Sequence, residues 1–255
     1  MAYTIAFSGK GGTGKSTIAA LCVRYLTEEL NKSTLAVDAD PNSCLGLELG
    51  IDVKESISDV REDIIKKKMD FPVGMSKENY VDYCIEESIV ESKSFDLLTM
   101  GRPEGPKCYC YVNNLLRRYL DKAATTYPFV VIDNEAGMEH LSRRTTNDVD
   151  MLLIVAEPTM VGVNTINRIS GITDELPIKI KRKAVLLNRV HNGKVNETIK
   201  KKITDEYGLE ILEQLPFNDG ITELSTDAKP MQLLPKDNEI FKRVGLMIDK
   251  LIAGN

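Results

Sequence analysis

Gly9-Lys10-Gly11-Gly12-Thr13-Gly14-Lys15-Ser16 holds the residue types and spacing that could most directly do chemistry. It fits G-x-x-x-x-G-K-[ST], with a strand-like run, TIAFS, before it and a helical pattern, TIAALCVRYLTEEL, after it. Glycines let backbone N–H groups turn toward phosphate oxygens, and the helix N-terminus adds partial positive charge. In such a loop Lys15 reaches the β- and γ-phosphates and the Ser16 hydroxyl holds Mg²⁺. Gly11, Gly12, Thr13, Gly14 and Thr17 complete the cradle. The segment predicts a nucleotide-binding site.

Carboxylates follow at two places. AVDADPNS sets Asp38 and Asp40 at the end of a second strand, where residues two apart share a face until Pro41 turns the chain. VVIDNEAG sets Asp133 at the end of a buried strand, the position of an aspartate that binds the Mg²⁺ shell, although a strand-end aspartate can also cap a helix. Gly137 behind it suits a hinge that senses the γ-phosphate. LLNRV ends a late strand at Asn188, and LPFND puts Pro216 and Phe217 at the next strand–loop corner as an apolar clamp.

Cys108 and Cys110 form a C-x-C pair with Lys107 before it and an amphipathic helical pattern after it, surroundings that favour thiolates. Two sulfurs cannot complete a tetrahedral site, but a two-fold dimer would bring four together. The spacing alone leaves a structural role open. Cys22 and Cys84 fall on apolar helical patterns and read as core, while Cys44 could be core or adjacent to the Asp40 turn. In EHLSRR, His140 reads as a local hydrogen-bonding residue rather than a metal ligand, and Arg143 or Arg144 could pair with a partner or across a dimer. His191, in NRVHNGK, reads as solvated.

The elements that must position these groups alternate along the chain. Strands are predicted at Tyr3–Ser8, Thr34–Asp38, Phe95–Met100, Phe129–Asp133, Met151–Ala156, Lys183–Asn188 and Glu210–Leu215. Helices are predicted at Gly14–Leu30, Val112–Ala124, Leu141–Val149, Val163–Glu175, Val195–Tyr207 and Glu239–Ile252. Near-continuous apolar runs such as FVVID and MLLIVAE suit parallel strands covered on both faces. The expectation is an α/β fold with a doubly wound, mostly parallel sheet, a P-loop NTPase occupying 1–255 as one domain. Asp52–Lys93 is read as a helical insertion whose Lys66-Lys67-Lys68 run is a solvated helix face.

Composition narrows the class. The chain has 255 residues, 42% hydrophobic and 28% charged, which is ordinary globular usage. A formal charge of −5 argues against a basic nucleic-acid binder. No run approaches the ~20 apolar residues of a membrane span. The first strand begins at once, leaving no room for a signal peptide, and five scattered cysteines suit a reducing cytoplasm.

With a second lysine, Lys10, directly after its first glycine, GKGGTGKST resembles the deviant Walker A signature of the MinD/ParA/nitrogenase iron-protein class of ATPases. That resemblance implies a nucleotide-dependent homodimer in which Lys10 reaches the partner's nucleotide. It makes AVDADPNS the switch I region, with Asp40 positioning and helping to deprotonate the attacking water, and Asp38 supporting Mg²⁺ directly or through water. It assigns Asn188 to the purine. More narrowly, GRPEGPKCYC, DNEAGMEHLSRRT and DADPNSCLG resemble the CooC/AcsF-type nickel-insertion ATPases that serve maturation of carbon monoxide dehydrogenase and acetyl-CoA synthase, with similarity over nearly the whole chain. This implies a Mg²⁺-dependent ATPase acting as a cytoplasmic metallochaperone, with Cys108 and Cys110 binding Ni²⁺ or Zn²⁺ at the dimer interface and a nickel enzyme as client. The rivals are a MinD/ParA-type spatial organiser acting on membrane or DNA and an iron-protein-like redox ATPase.

Overall fold

The computed structural model describes residues 2–66, 74–102, 108–136, 148–175 and 178–253. Its strands, in chain order, are β1 (Tyr3–Gly9), β2 (Thr34–Ala39), β3 (Val90–Glu91), β4 (Phe95–Thr99), β5 (Phe129–Asn134), β6 (Asp148–Ala156), β7 (Lys179–Val190) and β8 (Glu210–Pro216). They form one sheet in the order β3-β4-β2-β5-β1-β6-β7-β8, parallel except for β3, which pairs antiparallel with β4 at the edge. The α/β, doubly wound, mostly parallel P-loop fold expected from the sequence is the one observed.

Side-chain alternation along the strands divides the interior into two cores. Ile5, Phe7, Ala36, Val131 and Leu153 point to one face, which α1 (Lys15–Glu28) and the short α2 (Cys44–Glu48) cover. Ala6, Val37, Ile132 and Ile154 point to the other. That second face is covered by α3 (Ile57–Lys66), α4 (Lys77–Glu87), α5 (Cys108–Thr126), α6 (Met160–Glu175) and α7 (Glu197–Lys201). Beyond β8 lie α8 (Asp219–Thr226) and α9 (Glu239–Ala253), and α9 buries Ile240, Phe241, Val244, Met247, Ile248 and Leu251 in the α1 core. No helix among the described residues is long and apolar enough to cross a membrane.

Arg24 of α1 joins the C-terminal part of the chain to the phosphate-loop helix. It is only 5% exposed. Its guanidinium donates to the carbonyls of Met231 (2.9 Å) and Leu234 (2.6 Å), pairs with Glu28 at 3.1 Å, and lies 4.4 Å over the Phe241 ring. A buried cation with this many partners is satisfied where a lone one would not be.

Several elements depart from the sequence expectation. The predicted helix Leu141–Val149 gives way at its end, since Asp148 and Val149 already belong to β6, and 141–147 lie outside the described residues. Asp150 makes a strand start tolerable there, accepting from the Thr4 N–H at 2.7 Å and pairing with Lys181. The predicted helix Val195–Tyr207 is shorter, capped by Asn196 and passing at Lys202–Glu206 into a π-type turn. α5 begins at Cys108, so the C-x-C pair lies in its first turn rather than ahead of the helix.

Candidate nucleotide site

The phosphate loop leaves the C-terminal end of β1, between β5 and β6, where parallel α/β sheets open a crevice. Two of its glycines are required by space. A Cβ on Gly9 would come within 2.2 Å of the Val155 carbonyl oxygen in β6. Gly14 precedes α1 with φ +91°, and a Cβ there would meet Asn188 Nδ2 at 2.5 Å. The loop is closed on the Lys10 carbonyl, which accepts from the Thr13 hydroxyl (2.9 Å) and lies 3.4 Å from Lys15 Nζ. Lys15 is buried, whereas the Lys10 side chain, Gly11 and Gly12 are exposed.

Strand alternation carries two carboxylates to the same face. Asp38 continues the row of Ala36, and Asp133 the row of Val131, so both end beneath α1. β2 and β5 pair in register with Asp38 opposite Asp133, and each residue is fully buried. Asp38 Oδ2 accepts from the Leu45 N–H at 2.8 Å and Oδ1 from the Asp40 N–H at 3.2 Å. Even so, burial, reinforced by the neighbouring Asp133, pushes Asp38 up to about 7. Asp133 is pushed up to about 6, chiefly by burial, with Ser16 and Lys15 drawing it down. Ser16 approaches without a hydrogen bond of good geometry, and both Asp133 oxygens are buried without a partner among the described residues. Two unpaired carboxylate oxygens beside a serine hydroxyl are a hard-oxygen donor set, and they fit Mg²⁺.

Asp40 stands after β2, half-buried, its Oδ1 accepting from the Asn42 N–H (2.9 Å) and Nδ2 (2.8 Å). This fixes the turn that leads into α2. Thr17 donates to Glu48 Oε1 at 3.0 Å from the end of α2. Burial raises Glu48 above its ordinary value, with the Thr17 bond lowering it. Nothing in the residue pattern singles out Glu48, because a five-residue helix has no periodic signal. Asn134 also went unmarked: its Nδ2 donates to the Phe7 carbonyl at 2.8 Å and ties β5 to the strand feeding the loop.

Beside Gly14 opens a cavity of about 310 Å³ lined by Thr17, Asn188, Arg189, Pro216 and Phe217 among others. The three residues predicted for the base are thus together in it. Asn188 Nδ2 donates to the Thr13 carbonyl at 2.8 Å and its Oδ1 accepts from the Arg189 N–H at 2.9 Å. His191 is exposed, as expected, yet it stacks on Phe217 at 5.5 Å between centroids and 17° between planes.

The remaining predicted residues are less defined. Gly137, Glu139, His140, Arg143 and Arg144 lie outside the described residues. Cys108 and Cys110 have helical backbone, where positions two apart do not share a face, and their side chains are outside the described set. Cys22 is buried, as a core residue, Cys84 is half-buried against the core of the second face, and Cys44 is exposed beside the Asp40 turn.

This fold and site define a class. The chain belongs to the CobQ/CobB/MinD/ParA nucleotide binding domain family, which it matches over residues 4–231. It is 42% identical over 250 residues to the uncharacterized ATP-binding protein MJ0685 of Methanocaldococcus jannaschii, covering 97% of this chain and 98% of that one. It is 34% identical over 196 residues to the carbon monoxide dehydrogenase accessory protein CooC of Rhodospirillum rubrum, covering 69% and 70% of the two chains. Among solved structures, the septum site-determining protein MinD of Pyrococcus horikoshii complexed with Mg-ADP superposes with a TM-score of 0.67 at 20% identity, covering 99% of this chain and 98% of that one.

Proposed function

We propose that this protein is an ATP-hydrolysing switch whose cycle serves insertion of nickel into carbon monoxide dehydrogenase or acetyl-CoA synthase. The observation that carries the ATPase reading is the buried Asp38–Asp133 pair beside Lys15 and Ser16, an ionisation burden that a divalent cation would relieve while Lys15 meets the phosphates. The similarity to CooC supports the nickel-enzyme client.

In this reading the loop N–H groups and Lys15 hold the phosphates. Ser16 and Asp133, with Asp38 directly or through water, would hold Mg²⁺, which when bound neutralises phosphate charge. Asp40 orients a water and takes its proton as ATP and water become ADP and phosphate. The exposed Lys10 is free to reach a second copy's nucleotide. Asn188 favours adenine: with its amide oriented by Thr13 and Arg189, it keeps one N–H and one lone pair. Adenine presents the N7 acceptor and N6 donor that match these groups, whereas guanine presents two acceptors. Cys108 and Cys110 from two copies would supply four thiolates to the cargo metal, the first turn of α5 opening so that each pair turns to one side, and such ligands take nickel or zinc. The difference in γ-phosphate contacts between nucleotide states drives opening and closing of the dimer.

Two features support this reading over a membrane- or DNA-organising one. The apolar face of α9 is buried on α1 rather than offered to a surface. The basic run at the start of β7 is paired off, Lys181 with Asp150, Arg182 with Glu210 and Lys183 with Asp174.

The test is size-exclusion chromatography with elemental analysis, with and without Ni²⁺ or Zn²⁺ and a non-hydrolysable ATP analogue. One metal per dimer, lost in Cys108→Ala/Cys110→Ala, is the expected result. Nucleotide-driven dimerisation with no metal under any condition would overturn the nickel reading and leave the ATPase. Sedimentation with liposomes or DNA in ATP would move the protein to the spatial-organiser class.

A further inference from the structure

Glu48 lies outside every role described so far, yet it touches the nucleotide cradle. Thr17, in the first turn of α1, lines the cavity beside Gly14, and its hydroxyl is given to Glu48 Oε1 at 3.0 Å. The second oxygen, Glu48 Oε2, is buried without a hydrogen-bond partner among the described residues. No cation is paired with this carboxylate among the ion pairs of the described residues. A carboxylate so placed repels an arriving polyphosphate and competes with it for the Thr17 hydroxyl.

The helix that Glu48 ends is clipped at both ends on its nucleotide side. At its start, the Leu45 N–H is held by Asp38 Oδ2 at 2.8 Å, after Ser43 has turned the chain through φ +51°. At its end stands the Thr17 bond. On the far side α2 runs into a fixed anchor, where Gln232 Nε2 donates to the Leu49 carbonyl at 2.6 Å and Gly50 packs against Pro230. Under the site reading above, phosphate and cation would meet Thr17 and Asp38 and not the anchor, so the two sides of α2 would answer differently to nucleotide.

We propose that Glu48 is a positioning residue that holds Thr17 and α2 in the arrangement described, and that phosphate binding releases both. It takes no part in bond cleavage. Its effect is to weaken binding and to make the placement of α2, with its more than half-exposed Leu47, depend on nucleotide. The inference rests on the nucleotide-site reading above.

The experiment titrates the full-length protein, Glu48→Ala and Glu48→Gln with a fluorescent ADP analogue and Mg²⁺, and follows amide exchange over residues 44–50. Loss of a hydrogen bond to a charged group predicts about tenfold tighter binding for Glu48→Ala. Amides of 44–50 should exchange faster on nucleotide binding in the wild type, and be fast without nucleotide in Glu48→Ala. Glu48→Gln keeps an acceptor for Thr17 and drops the charge, so it gains about threefold and keeps wild-type exchange; it also serves should the alanine variant fail to fold. Wild-type affinity in both variants, or weaker binding in either, overturns the role of Glu48. A wild-type protein that binds no nucleotide overturns the underlying site reading instead, so the two failures are distinguishable.

Discussion

Asp133→Asn, studied without nucleotide and in EDTA, should leave a protein that is more stable than the wild type at neutral pH and unable to turn over ATP. An unfolded chain releases the Asp133 proton near 3.8, whereas the folded chain keeps it to about 6. Between those values the folded state binds more protons, so wild-type stability falls as pH rises, and above about 6 the loss is complete. At about 1.4 kcal/mol for each pH unit separating the two values, ionised Asp133 costs the fold about 3 kcal/mol. Asparagine does not titrate and escapes this cost, while an amide left without a partner gives back about 1–3 kcal/mol at every pH. The offset cancels when the two proteins are compared across pH. The measurement is urea unfolding of both from pH 4 to pH 8: the stability difference should move in favour of Asp133→Asn by about 2 kcal/mol between pH 4 and 6.5. A difference that is flat with pH, or that moves toward the wild type, would refute the claim that burial dominates this carboxylate. Adding Mg-ADP at pH 8 should raise the wild-type midpoint and leave the variant's nearly unmoved.

Other substitutions follow from contacts of known length. Gly9→Ala sets a methyl against the Val155 carbonyl, backbone against backbone, and should cost about 2–3 kcal/mol in thermal unfolding and abolish nucleotide binding. Asn188→Ala should reduce the preference for ATP over GTP about tenfold in competition binding. Arg24→Met strands the buried Met231 and Leu234 carbonyls, so urea unfolding should show a loss of about 3 kcal/mol with the P-loop residues themselves intact.

The parallel strands were legible because both their faces are covered, which leaves runs such as FVVID nearly free of polar interruption. The Walker lysine and serine and the two buried aspartates were legible for a related reason: a glycine loop after a strand, or a carboxylate at a strand's end, shows in one dimension. What escaped needs three. α2 is five residues long, and β3 is two residues whose only signal is pairing with β4. α8 is set by its cap, Asn218 Oδ1 accepting from the Ile221 N–H at 3.2 Å, more than by any apolar stripe. Glu48 matters through Thr17, 31 positions away, and the stacking of His191 on Phe217 joins two loops that sequence keeps apart. The start of α5 was misjudged because a C-x-C pair after Pro106 and Lys107 suggests an extended approach, while the chain is already helical at Cys108.

The division of the interior into two cores has a consequence for how such a molecule can diversify. The phosphate loop, α1, α2 and α9 share one side of the sheet, and α3, α4 and α5 share the other. Among the described residues the two populations are buried on opposite faces of the strands, so a change on the second side reaches the chemistry of the first chiefly through the sheet. The helices α3, α4 and α5 are therefore where exchange of sequence should be tolerated best. Transplanting α3 and α4 between relatives should leave the rate of nucleotide turnover near its starting value.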